Sequence, residues 1–267
     1  MKKISTLVLA LLLALIFTGL VQAKDGMKKK RVRPHLYGQV IIDNYSTNIG
    51  LAPVAFDHWL HRANATCRLC HVDIGFAMEA NGTEMTASDN IRGFFCGTCH
   101  NGKTQYDGKS LFSACSKESS NLKIEECQRC HNNGETPDLE EKFYKFSAKL
   151  PKERKGNGIN WEQAEAKGHI TPIDYIEGLS AEGMDLAIVK DFAITSKIEG
   201  MPDIIFSHTK HTVWNGCEVC HPDIFMGVRK GATTYTMIDL FQGKYCGVCH
   251  DTVAFPQSDC KRCHTKL

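Results

Sequence analysis

The pentapeptide Cys-x-x-Cys-His occurs six times in this chain: Cys67–His71, Cys96–His100, Cys127–His131, Cys217–His221, Cys246–His250 and Cys260–His264. It is the attachment sequence of a c-type haem: the two thiols form thioethers to the porphyrin and the adjacent histidine becomes the proximal iron ligand. Two other readings fail on number. A zinc site does not require a histidine after every second cysteine, and a disulfide framework does not predict this spacing six times. The repeats use twelve of the 13 cysteines and leave Cys115, which reads as a buried or unreactive thiol or as half of an intermolecular disulfide. Six covalently attached c-type haems are therefore expected. The attachment residues are Cys67, Cys70, Cys96, Cys99, Cys127, Cys130, Cys217, Cys220, Cys246, Cys249, Cys260 and Cys263. The proximal ligands are His71, His100, His131, His221, His250 and His264.

The motifs fall into two sets with the same internal spacing. Phe56, His58, His61, Cys67, Cys70 and His71 repeat 150 residues later as Phe206, His208, His211, Cys217, Cys220 and His221. The second motifs match as well, Gly93 to Gly97 against Gly243 to Gly247. Only the third motifs differ. His100 to Cys127 spans 27 residues and His250 to Cys260 spans 10, so the first set carries a 17-residue insertion that holds Cys115. This duplication divides the chain into residues 24–55 as an N-terminal arm, 56–134 as module one, 135–202 as a linker with a short helix, and 203–267 as module two. Within the linker, Asn160 as cap and Gly168 as stop predict a helix over Trp161 to Lys167. Gln39 to Ile42 reads as a strand.

Residues 1–23 have the form of a signal peptide: Lys2 and Lys3, an apolar run from Leu7 to Val21, and Val21-Gln22-Ala23 as the cleavage site. Cleavage removes two lysines, leaving 30 basic against 30 acidic residues. The expected location is the periplasm, with the outer surface as the alternative, and no transmembrane segment remains. The 244 mature residues (267 minus 23) leave about forty per haem, too few for a conventional side-chain core at each. The expected fold is mainly α and irregular, with little regular secondary structure, as two tandem triheme modules wrapped around haems.

Six histidines remain after the proximal ones: His35, His58, His61, His169, His208 and His211. Six haems need six distal ligands, so bis-histidine ligation would use every one. His58 with His61, and His208 with His211, lie three residues apart, on one face of a helical turn. For the third haem of each module the candidates are His35 and His169, with Met237 and Met85 as thioether competitors that would raise the potential.

Each module resembles the triheme cytochrome c-seven type within the cytochrome c-three family, through Phe-x-His-x-x-His-x5-Cys-x-x-Cys-His followed by two further Cys-x-x-Cys-His motifs. The resemblance implies that His58 pairs with His71, His61 with His100, His208 with His221 and His211 with His250. That family often takes its third distal ligand from a histidine just before the second motif, and Ile91 to Phe95 and Phe241 to Tyr245 contain none.

The expected function is electron relay in the cell envelope, in anaerobic or extracellular metal respiration, rather than catalysis. The expected partners are a quinol-linked donor and a downstream cytochrome or metal acceptor, with no nucleic acid. Two alternatives remain: a homo-oligomeric polymer in which His35 is handed to a neighbouring copy, and a multihaem reductase with one open haem.

Overall fold

The computed structural model describes residues 31–106, 108–115, 124–181, 190–227 and 229–266. The expected signal peptide, and most of the basic run that follows it, lie outside the described residues. Among the described residues no helix is long and apolar enough to cross a membrane.

Short elements joined by ordered loops make up the chain. A 3-10 turn, Pro34–Leu36, leads into strand β1, Gln39–Ile42, the strand expected from the sequence. β1 pairs antiparallel with β2, Val54–Asp57, in a register that sets Val40 opposite Phe56. Helix α1, His58–Arg62, follows without a break. Module two repeats this hairpin and helix: β3, Phe192–Ile194, pairs with β4, Asp203–Phe206, with Phe192 opposite Phe206, and helix α2, His208–Asn215, comes next. Each H-x-x-H pair thus sits on the first turn of a helix fed by a β-hairpin.

The second equivalence is a helix ahead of each second motif, Ala87–Ile91 in module one and Met237–Phe241 in module two. Both begin with a capping box, Thr86 with Asp89 and Thr236 with Asp239. In each, the threonine accepts from the aspartate amide and the carboxylate accepts from the threonine amide. Two orphan amides are satisfied reciprocally, which lets a helix of five residues hold its shape.

The side-chain core lies where a linker was expected. Leu139, Phe143, Leu150, Ile159, Trp161 and Ala164 pack with Trp59 of α1 and with Ala63 just past its end. Helix Leu139–Ser147 buries Leu139, Phe143 and Ser147, positions spaced i, i+4 and i+8 on one face. Its other faces carry Glu140, Glu141, Lys142 and Lys145, and this charge hides the period in a reading by composition. The helix expected over Trp161 to Lys167 is present as Trp161–Ala166. Asn160 accepts from the Gln163 amide at its start, and Gly168 holds φ at +69° beyond its end. The stretch touches both sets of motifs: Ile173 bridges to Ala65, Arg262 pairs with Glu153 at 2.6 Å, and Lys210 with Glu162 at 2.7 Å. Tyr37 closes a further link, donating its hydroxyl to the Ala254 carbonyl at 2.6 Å.

Candidate haem centres

Three of the histidine pairs face each other at one common distance. The ring centres of His58 and His71 lie 6.4 Å apart with planes 7° from parallel; His61 and His100 are 6.2 Å apart, and His211 and His250 6.4 Å. A metal held between two imidazole nitrogens at about 2 Å each, with each ring centre about another ångström behind, needs roughly 6 Å. Rings in van der Waals contact would lie closer. The separation therefore fits an iron between each pair.

The other ring nitrogen is fixed in nearly every case. The Nδ1 atoms of His58, His61, His208 and His211 contact the backbone carbonyls of Gly38, Asp57, Lys190 and Ser207 at 2.7–3.1 Å. The proximal residues do the same: His71 to Phe76, His131 to Ala52, His221 to Phe225, His250 to Phe255 and His264 to Pro202, at 2.7–2.9 Å. A carbonyl only accepts, so Nδ1 carries the proton and Nε2 keeps its lone pair for a metal. His100 is the exception: its buried Nδ1 has no well-formed hydrogen bond, and its ring packs on Phe112 at 4.4 Å.

Burial supports the same protonation state. It pushes His58 and His61 down to about 4, and lowers His71, His100 and His250 as well. These imidazoles are neutral at pH 7, the form that ligates. The thiols move the other way for the same reason: burial lifts Cys70, Cys96 and Cys249 to about 12 and Cys246 to about 11. A thioether has no proton to lose, so this penalty vanishes on attachment.

The glycine inside each second motif has a steric cause. A Cβ on Gly97 would lie 1.9 Å from the Asn90 carbonyl oxygen, and one on Gly247 would lie 2.1 Å from that of Leu240. The motif is pressed against the end of the preceding helix, and only glycine permits that approach. Phe95 and Tyr245, just ahead of these cysteines, hold positive φ of 48° and 54°, a conformation non-glycine residues adopt only where their surroundings impose it.

Each third motif closes back on its own hairpin. His131 bridges antiparallel to Val54, and His264 stands opposite Ile204 at the start of the C-terminal strand, His264–Lys266. Of the candidate ligands here, His35 is buried at 4 % exposure. Its Nδ1 lacks a hydrogen bond and lies 3.8 Å from a Glu140 oxygen. His169 is exposed, on a segment that runs beside Asn64 to Thr66; among the described residues nothing brings it to His264. Met85 places its sulfur 4.0 Å from Cys96 Sγ, a second-motif cysteine. Met237 opens its helix, half-buried. His208 makes its ring contacts with Phe192 and Phe206, and among the described residues its ring does not meet that of His221.

One arrangement had no signal in the sequence. Neighbouring thiols hinder each other's ionisation, and these neighbours form a series through both modules. Cys130 and Cys115 lie near Cys96; Cys96 and Cys99 lie near Cys70; Cys67 lies near Cys220 and Cys249; Cys220 and Cys263 lie near Cys246. Cys115, half-buried and with its thiol raised by burial, sits among the cysteines of the second and third motifs.

Among solved structures, the C-terminal hexaheme fragment of GSU1996 is 24% identical, covering 85% of this chain and 97% of its own, with a TM-score of 0.25. Its N-terminal hexaheme fragment is 22% identical, covering 86% and 99%, with a TM-score of 0.24. No curated protein matches the chain. The family model for cytochrome c7 and related cytochrome c matches twice, over residues 54–137 and 204–265, each match running from a hairpin's second strand through the H-x-x-H pair and three attachment motifs. The chain therefore belongs to the cytochrome c7 family, as a multihaem c-type cytochrome of the electron-transfer type.

Proposed function

We propose that the protein carries six haems and passes electrons along them between partners in the cell envelope, as a conductor rather than a reductase. The observation that carries this reading is the unbroken series of thiol neighbours from Cys130 through Cys96, Cys70, Cys67, Cys220 and Cys246 to Cys263. Haems attached at these positions would be neighbours in the same order. In bis-histidine sites each bound haem supplies a one-electron couple with no open coordination position. The polypeptide's part is to supply neutral Nε2 atoms, to fix ring orientation through Nδ1, and to limit water. The related hexaheme fragments of GSU1996 have the same number of haems as there are motifs here.

For distal ligands we propose His58, His61, His208 and His211 in their paired roles. His35 completes the haem on His131, because it is a buried imidazole with an unsatisfied nitrogen. The setting is an exported protein that accepts from a quinol-linked donor and delivers to a downstream cytochrome or metal acceptor. Mass spectrometry of the purified protein should show six haem additions, and a redox titration should show low-spin haems only. A substrate-binding high-spin ferric haem at neutral pH would overturn the conductor reading.

A further inference from the structure

Arg62 closes α1, one residue after His61, and its side chain reaches into the second module. Its guanidinium carbon lies 4.8 Å from the ring centre of Trp161 and 5.3 Å from that of Trp214. Its Nη1 donates to the carbonyl of Val253, three residues past the fifth motif, at 3.1 Å. Arg62, Cys67, Trp161 and Trp214 line one small cavity. Cys67 lines that cavity with it, and Val253, the residue whose carbonyl it holds, donates its own amide to the Cys249 carbonyl.

This cation is poorly neutralised. Among the described residues no carboxylate lies within ion-pair distance of Arg62. Glu165 is its acidic neighbour, and that carboxylate is engaged by the indole Nε1 of Trp214. Arginine keeps its charge where lysine would lose it, and its planar face suits a place between two indoles. Ferric haem carries one more positive charge than ferrous haem, so a nearby fixed cation disfavours the oxidised state, more strongly where water is excluded.

We infer that Arg62 is a tuning residue at the module junction, whose positive charge raises the reduction potentials of the haems attached at Cys67 and Cys249 above those of the other four. This rests on the haem-bearing reading given above. The junction thereby becomes the place where electrons settle before leaving either module.

The test uses the full holoprotein, with potentials followed haem by haem by NMR during stepwise oxidation. Arg62→Met should lower the two junction potentials and leave the other four in place, with six haems attached. Arg62→Lys, whose ammonium would shed its proton in so dry a site, should lower the same two potentials as Arg62→Met does. Glu165→Gln, which removes the opposing charge and keeps an acceptor for Trp214, should raise the same two potentials, and this arm stands if Arg62→Met fails to mature. Unchanged potentials in Glu165→Gln, or an equal shift at all six haems in Arg62→Met, would overturn the inference. Peptide mass spectrometry reads attachment at Cys67 and Cys249 directly. A wild-type protein unloaded there would defeat both readings, whereas a loaded one with unmoved potentials defeats this one alone.

Discussion

His131 donates its Nδ1 proton to the carbonyl of Ala52 at 2.8 Å, and its counterpart His264 gives the same bond to Pro202, 150 residues after Ala52, also at 2.8 Å. The duplication therefore extends past the motifs to the backbone acceptor that orients each third proximal imidazole. A carbonyl hydrogen bond of this kind fixes the tautomer and raises ligand basicity.

The paired rings give the most direct prediction. His61→Ala should vacate the position facing His100, and His211→Ala that facing His250, since the ring centres lie 6.2 and 6.4 Å apart. Each variant should show one high-spin haem that binds carbon monoxide. A fully low-spin spectrum in either would refute the pairing.

For the third haem of module one, His35→Ala removes a buried imidazole whose Nδ1 lacks a hydrogen bond. The haem on His131 should become high-spin while the other five remain unchanged. A sulfur-to-iron charge-transfer band that survives His35→Ala and disappears in Met85→Leu would move the assignment to the methionine.

Alkaline pH should loosen the Tyr37 link. Burial raises this hydroxyl to about 12, against an ordinary value of 10. The folded state thus holds the proton more tightly than the unfolded chain, so the contribution is complete below pH 10 and is lost as pH rises towards 12. Urea unfolding at pH 9 and pH 11 should show wild type losing more stability over this interval than Tyr37→Phe. Parallel losses would exclude the link.

In the side-chain core, Phe143 is 1 % exposed and meets Trp59 edge-on with ring centres 5.2 Å apart. Phe143→Ala should cost about 3–5 kcal/mol in denaturant unfolding, with the haem spectrum unchanged. A loss below about 1 kcal/mol would show that the aromatic cluster carries little of the fold.

At the second motifs, Gly247→Ala brings a methyl group against the Leu240 carbonyl, a backbone atom with little room to move. The protein should mature with less haem at Cys246 and Cys249, by peptide mass spectrometry, and Gly97→Ala should act alike at Cys96 and Cys99. Full loading in both would mean that the helix and motif can separate.

The duplication, strand Gln39–Ile42 and helix Trp161–Ala166 could be read from residues alone, because each depends on a local rule of spacing or capping. The core could not. Leu139 and Phe143 sit among glutamates and lysines that make the segment look solvated, and their partner Trp59 is 80 residues away in sequence from Leu139. The role of Gly97 was equally hidden, since Cys-Gly-x-Cys-His gives no sign that a helix end presses on it. Nor does a count of histidines distinguish buried His35 from exposed His169.

The thiol series has a directional consequence. Within module one it visits the motifs in reverse order of synthesis, third to second to first, and within module two it runs forward. The two copies thus meet at the first motif of module one, which lies near both the first and the second motif of module two. A carrier built this way has equivalent termini, each ending in a third motif clasped to its own hairpin. The insertion that holds Cys115 is one feature the copies do not share, and it marks one end from the other.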